Sequence, residues 1–327
     1  MGLALALLFF AVGLTAIIKG GEILVNAAIS LNKKTGINQV IIGATFISVA
    51  TTLPEVFVSI YAVAAGNHGI AVGNAFGAMI TNISLVLGIT LAFTAASIKR
   101  SEILPKALFL LLTTLLVFLF SINLLISWYE GVILLVVFAL FLLLNARESK
   151  VTAPTFIPIE PRCVNETKAK TTWLGIICGF VLGQVFLCFG AFALVENGEK
   201  LANIFGISET VIGFTVIAIG TSLPELTTTI ASIRRKCNGL AIGNVIGANV
   251  ISCTLLFGIC GIIGDIKGES LPLSRETAFI AIPILFLMTL VATVPIFFKS
   301  RAYRIQGFIL LLLYAIFVVY LMVLQPL

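Results

Sequence analysis

Charge is scarce in this chain. Of its 327 residues 10% are charged and 60% hydrophobic, with a mean hydropathy of +1.17. Soluble domains carry about 25% charged and about 45–50% apolar residues. A soluble fold of this length has no interior large enough for so much apolar surface, so that class is excluded. Histidine is scarcer still: His68 is the only one, and it falls in a predicted loop. Zinc or copper chemistry is thereby disfavoured, as is an intramembrane hydrolase, which needs a nucleophile with a base or a His-ligated metal. Cysteine occurs at 163, 178, 188, 237, 253 and 260 without any CxxC spacing. Most of these lie in apolar runs, where Cys behaves as a small hydrophobe, so a disulfide framework is not expected. The net charge of +6 forms no basic face, which speaks against nucleic acid. Strict apolar/polar alternation is also lacking, and with it the signature of a membrane β-barrel.

What remains is a series of continuous apolar runs near 20 residues long. Each is sufficient to cross a hydrocarbon core of about 30 Å, and only helices satisfy their backbone in lipid when no barrel is formed. The runs predict helices near 2–30, 37–65, 69–96, 103–124, 128–146, 173–203, 207–233, 239–264, 277–298 and 304–324. The segment from Leu3 to Ile18 has neither a basic n-region nor a small-residue cleavage site and runs on into Glu22 and Asn26, so it reads as a retained helix. Residues 147–172 form the one long polar stretch, with Pro154, Pro158 and Pro161. The chain therefore divides into a first five-helix half (1–146), a linker (147–172) and a second five-helix half (173–327).

The halves are repeats. A shift of 170 residues aligns 36–89 with 206–259 without gaps, giving 20 identities in 54 positions. Apolar bias matches Leu and Ile by chance, but it does not align Thr-x-Leu-Pro-Glu (51–55, 221–225) and Gly-Asn-x-x-Gly (73–77, 243–247) at one offset. Five helices is an odd number, so the second copy begins on the opposite side of the membrane and the repeats are inverted. Charge agrees. With the N-terminus on one side, 16 of the 20 basic residues fall on the other; Lys200, Lys267 and Arg275 do not, and Lys19 lies within the first helix. The positive-inside rule makes the basic side cytoplasmic and places both termini outside.

Glu55 and Glu225 each lie well inside an apolar span. An ionised carboxylate there costs about 2.5–3.5 kcal/mol on insertion scales, and a bound cation or protons must compensate two of them. Pro54 and Pro224 each withdraw an N–H and obstruct the carbonyl four residues back, of Ala50 and Gly220. Glu55 with Thr51 and Thr52, and Glu225 with Thr221 and Ser222, thus offer carboxylates, hydroxyls and loosened carbonyls. These are oxygens, suited to hard cations such as Ca²⁺ and Na⁺. The bland alternative is a kinked helix whose Glu caps a freed backbone group, and it would have to hold twice. Asn74, Asn82, Asn244, Asn249 and Ser252 are further polar groups at this depth, facing the site or bonding across helices. Lys19 and Glu22 read as a local pair. Glu196, Asn197, Glu199 and Lys200 read as a solvated helix end or the lining of a vestibule.

At these motifs the chain resembles the cation/calcium exchanger superfamily, in particular its prokaryotic sodium/calcium antiporters. The resemblance spans nearly the whole chain and is strongest over 36–89 and 206–259. It implies ten helices, with breaks in the second, third, seventh and eighth. It also implies a site where Glu55 and Glu225 bridge Ca²⁺ and contact Na⁺, Thr51, Thr52, Thr221 and Ser222 supply oxygens, Ser48 and Ala218 supply carbonyls, and Asn82 is the central asparagine. The first and sixth helices would slide as a pair. Three positions depart from the pattern: Ser252 stands for the central acidic or amide residue, and Ala78 and Ala248 replace hydroxyls that are sodium ligands in the family. The implied function is Ca²⁺/Na⁺ antiport, with inorganic cations and the bilayer as partners, no cofactor and no obligate protein partner. A Ca²⁺/H⁺ exchanger is the alternative, since two close carboxylates titrate as a coupled pair. A passive channel is a further alternative, which the inverted repeats oppose. The expected location is the cell (inner) membrane of a bacterium or archaeon.

Overall fold

The computed structural model describes residues 3–93, 100–152, 172–204, 218–268, 270–298 and 304–324. These fall into ten helical stretches: α1 Leu3–Thr35, α2 Gln39–Ala64, α3 His68–Phe93, α4 Arg100–Phe120, α5 Trp128–Thr152, α6 Trp173–Ile204, α7 Ala218–Arg234, α8 Asn238–Ile266, α9 Thr277–Phe298 and α10 Arg304–Leu324. Eight of them are long and apolar enough to cross a membrane. Residues 205–217, the start of the seventh predicted helix, and 153–171 of the predicted linker lie outside the described residues.

Helix ends follow local chemistry. Gly36, at φ 71°, supplies the left-handed residue that stops α1, and its N–H returns to Asn32 O at 2.8 Å. Asn38 then caps α2, its side chain accepting from Val40 N at 2.7 Å. The α2–α3 and α7–α8 turns are copies of each other. Gly66 (φ 82°) and Lys236 (φ 59°) occupy equivalent left-handed positions. The bonds Gly66 N→Val63 O and Asn67 N→Ala62 O recur as Lys236 N→Ile233 O and Cys237 N→Ser232 O.

α2, α3 and α8 form the centre, buried over 72%, 83% and 78% of their most apolar stretches, whereas α1 and α5 reach 28%. α1 and α6 cross antiparallel. A methyl on Gly13 would meet Gly190 O at 2.9 Å, and one on Gly20 would meet Gly183 O at 2.9 Å. These glycines are themselves repeat partners, 13 with 183 and 20 with 190, so the 170-residue offset extends into α1 and α6 and each contact is the other's image. Gly88 against Gly307 joins α3 to α10, and Gly258 against Gly131 joins α8 to α5 in the same manner.

Four features differ from the sequence expectations. α1 runs to Thr35 and α5 to Thr152, because Lys33, Lys34, Arg147 and Lys150 prolong a helix after the apolar run has ended. No break interrupts α2, α3 or α8. Each widens instead into a π-helical turn, at Gly43–Ile47, Asn82–Val86 and Ser252–Leu256, the last two at the repeat offset; a π turn frees carbonyls without ending the helix and often marks a functional site. The fold is nearly but not wholly helical. After the left-handed Leu124 (φ 64°), Leu125–Ile126 pairs antiparallel with Leu271–Pro272 and ties the α4–α5 connection to the α8–α9 connection.

Candidate functional site

The π turn of α3 packs against α7 and that of α8 against α2, the two helices that carry Pro54 and Pro224. Thr51, Thr52 and Glu55 of α2 are 0% exposed, Thr221 and Ser222 of α7 are 1% exposed, and Glu225 is 0% exposed. Pro54 and Pro224 sit inside continuous helices, and Ala50 and Gly220, whose carbonyls they obstruct, are both buried.

The two halves are laced by reciprocal bonds. Thr52 Oγ1 donates to Glu225 Oε1 at 3.2 Å, and its repeat partner Ser222 Oγ donates to Glu55 Oε1 at 3.3 Å. Thr51 Oγ1 donates to Asn244 Oδ1 at 3.2 Å, and Thr221 Oγ1 donates to Asn74 Oδ1 at 3.0 Å. Each glutamate is thus held by a hydroxyl that neighbours the other glutamate on the opposite helix. Among the described residues no ion pair reaches either carboxylate. Two fully buried acids without a basic partner leave compensation to cations or protons.

The correspondence ends at Asn82 and Ser252, on the π turns of α3 and α8. Ser252 Oγ donates to Glu55 Oε2 at 3.3 Å. Asn82 is equally buried, but its Oδ1 and Nδ2 have no partner, and neither has Glu225 Oε2. A buried orphan polar atom costs about 1–3 kcal/mol, and with Asn82 adjoining Glu55 and the open Oε2 on Glu225 the site between the two halves calls for a ligand. Carboxylate, amide and hydroxyl oxygens of this kind are the donors of Ca²⁺ and Na⁺ sites. Among the described residues no group of three His, Cys, Asp or Glu is placed to hold a metal, so a cation here would rest on two carboxylates and neutral oxygens.

The structure brings together all the sequence-predicted residues except one whose surroundings are not described. Ser48 is fully buried in α2, and its carbonyl accepts Thr51 Oγ1 at 3.3 Å; Ala218 is the first described residue of α7, and its side chain lies outside the description. Sequence reasoning left Asn74 and Asn244 unsorted, and they prove to be the cross-links between halves. It passed over Ser59, Thr228 and Thr229, although 59 and 229 stand four residues beyond each glutamate and share the repeat offset. Lys19 and Glu22 do pair, at 3.0 Å. Glu196 pairs with Lys200, both side chains exposed, whereas Asn197 is buried and bonds back to Ala193 O at 2.7 Å, so this stretch is solvated on one face only. Cys178, Cys188, Cys237, Cys253 and Cys260 are free thiols.

A multi-pass helical membrane protein with two buried carboxylates bridged between matching halves belongs to the transporters, and not to the enzymes. More narrowly, the chain is a member of the sodium/calcium exchanger protein family, whose sequence profile matches residues 5–147 and 175–323. It is 33% identical over 308 residues to the putative antiporter CaxA of Alkalimonas amylolytica, covering 94% of this chain and 95% of that one. To the inner membrane protein YrbG of Escherichia coli (strain K12) it is 35% identical over 300 residues, covering 88% and 89%. The solved structure of the sodium-calcium exchanger NCX_Mj soaked with 2.5 mM Na⁺ and 0.1 mM Ca²⁺ superposes with a TM-score of 0.81 at 28% identity, covering 98% of this chain and 99% of that one.

Proposed function

We propose that the chain is a secondary antiporter that exchanges Ca²⁺ for Na⁺ by alternating access at the Glu55–Glu225 site. Ten membrane-crossing helices in two inverted five-helix repeats carry it, with both termini outside and residues 147–172 as a cytoplasmic linker. The clustering of basic helix ends supports this orientation: Lys34 stacks on Trp173 at 4.8 Å, and Lys106 pairs with Glu148.

The observation that carries the function is the reciprocal pair Thr52–Glu225 and Ser222–Glu55. It holds the carboxylates at one locus, where they neutralise either one divalent ion or the counter-ions and never both. Mutual exclusion couples the fluxes. Thr51, Thr52, Thr221, Ser222 and Asn82 supply further oxygens, Ser252 orients Glu55, and Ser48 and Ala218 supply carbonyls. Exchange of sodium and calcium is also what the name of the similar solved protein, the sodium-calcium exchanger NCX_Mj, states.

One observation favours the second reading, Ca²⁺/H⁺ exchange through the same glutamates. Ala78 and Ala248, both 0% exposed, place methyl groups where the family's pattern has sodium-binding hydroxyls. The deciding experiment is ⁴⁵Ca²⁺ uptake into proteoliposomes loaded with Na⁺, with pH-gradient and no-gradient controls. Uptake that requires internal Na⁺ is the expected result. Uptake driven by a pH gradient and indifferent to Na⁺ would replace sodium by protons and leave the site in place.

A further inference from the structure

Buried threonines that do not bond across the two halves commonly close their hydroxyls on their own helices. Thr113, Thr228, Thr254, Thr289 and Thr293 all donate to a carbonyl four residues back, at 2.5–2.9 Å. Thr229 does not. It is 0% exposed, and its Oγ1 has no partner.

The cause lies one residue earlier. The carbonyl that Thr229 would use, Glu225 O, accepts Thr228 Oγ1 at 3.0 Å. The asparagine that would otherwise serve it is also engaged, since Asn244 Nδ2 donates to Thr228 Oγ1 at 3.0 Å. In the first repeat Val58 occupies the place of Thr228, and Asn74 Nδ2 is directed to Ser59 Oγ at 3.0 Å. Ser59 also donates to Ala71 O at 3.4 Å. With Val58 in place of Thr228, the asparagine is left to the hydroxyl beyond Glu55, Ser59, whereas the counterpart beyond Glu225, Thr229, stays open.

Thr229 is four residues past Glu225, on the same face of α7 and about 6 Å along its axis. Glu225 Oε2 is itself an orphan. Two unpartnered, fully buried oxygens thus follow one another along one helix face, toward the Arg234 end. We propose that Glu225 Oε2 and Thr229 Oγ1 form a one-sided waiting station for a small hard monovalent cation, Na⁺ in the exchanger reading on which this inference rests. One carboxylate compensates a single positive charge and would leave a divalent ion half-compensated away from Glu55, with water completing the shell around the carboxylate oxygen and the hydroxyl. The station lies between the central site and the cytoplasmic face and has no image toward the outside, where Ser59 is tied down.

The test compares wild type, Thr229→Val, Thr229→Ser and Thr289→Val in proteoliposomes of known orientation, with the half-saturating Na⁺ concentration read at each face. Thr229→Val is close in volume and removes only the hydroxyl, so its folding is checked by thermal stability, with Thr229→Ala as the second variant. The expected result is a rise of about tenfold at the cytoplasmic face, the value of one contact to an ion, with the external face unchanged. Thr229→Ser restores it, and Thr289→Val behaves as wild type. Equal shifts at both faces, or no shift, would overturn the station while leaving the exchanger intact. A wild-type flux indifferent to Na⁺ would overturn the exchanger reading itself, and is seen before any variant is made.

Discussion

Both carboxylate oxygens of Glu55 have a partner, and one of the two at Glu225 has none. Glu55 receives Ser222 and Ser252, and the hydroxyl one turn further on, Ser59, is held by Asn74. Glu225 receives Thr52; its Oε2 and the hydroxyl of Thr229 one turn further on are orphans, while the unpartnered amide of Asn82 adjoins Glu55. The bonds common to both halves form a scaffold that would hold with or without a ligand. Along the helices that carry the glutamates, the departures from symmetry leave two oxygens open on α7, Glu225 Oε2 and Thr229 Oγ1, and none at the counterpart positions on α2. A molecule made of two near-copies thereby acquires a direction.

Removing the carboxylates is the most severe way to break the comparison. Glu55→Gln and Glu225→Gln should each abolish ⁴⁵Ca²⁺ flux, because a neutral amide cannot compensate a cation. Stability should separate them. At position 55 the new amide meets two hydroxyls that now donate to the carboxylate, whereas at 225 it replaces an ionised oxygen that has no donor. Glu225→Gln is therefore expected to melt at or above the wild-type temperature and Glu55→Gln below it; undiminished flux in either would remove the glutamates from the site.

The next largest effect distinguishes the π-turn partners. The Asn82 amide has no hydrogen-bond partner, so Asn82→Ala should leave thermal stability nearly unchanged and weaken Ca²⁺ affinity about tenfold, as loss of a contact to an ion does. Ser252→Ala should reverse the pattern, lowering stability by about 1 kcal/mol through the lost bond to Glu55 and affecting affinity less. A smaller change is expected from restoring symmetric hydroxyls at Ala78 or Ala248. Ala78→Ser and Ala248→Ser add an oxygen on α3 or α8 beside the site, and each should lower the Na⁺ half-saturation about threefold, a gain of under 1 kcal/mol. No change would show that sodium does not rest there.

Much of this was legible in the sequence because it depends on identity at a fixed offset. The Thr-x-Leu-Pro-Glu and Gly-Asn-x-x-Gly motifs locate both halves of the site, and the apolar runs locate the helices to within a few residues. The parts that stayed hidden depend on pairing in space. Whether Asn244 bonds Thr228 or Thr229 is a choice between adjacent hydroxyls that no one-dimensional pattern resolves. A π turn adds one residue to a helical turn without altering composition, so Asn82–Val86 and Ser252–Leu256 read as ordinary helix. The two-residue strands are too short for any periodicity to register.

The smallest expected effect concerns α1 and α6, repeat partners whose outer faces differ. At the 170-residue offset Lys19 aligns with Phe189 and Glu22 with Phe192, both phenylalanines exposed on α6. α1 instead presents the Lys19–Glu22 pair, with side chains 61% and 40% exposed. A lone charge on an apolar helix face costs about 2.5–3.5 kcal/mol at membrane depth, whereas a paired one is largely neutralised. Lys19→Phe alone and Glu22→Phe alone should each lower thermal stability, by stranding the partner. The double substitution makes α1 resemble α6 and should return stability to within about 0.5 kcal/mol of wild type, the usual worth of an exposed pair. Its ⁴⁵Ca²⁺ flux should stay within about twofold, since neither residue touches the site. A double variant that is stable yet inactive would mean that the outer face of α1 takes part in exchange as that of α6 does not, and the asymmetry now seen at Glu225 and Thr229 would then extend to α1 and α6.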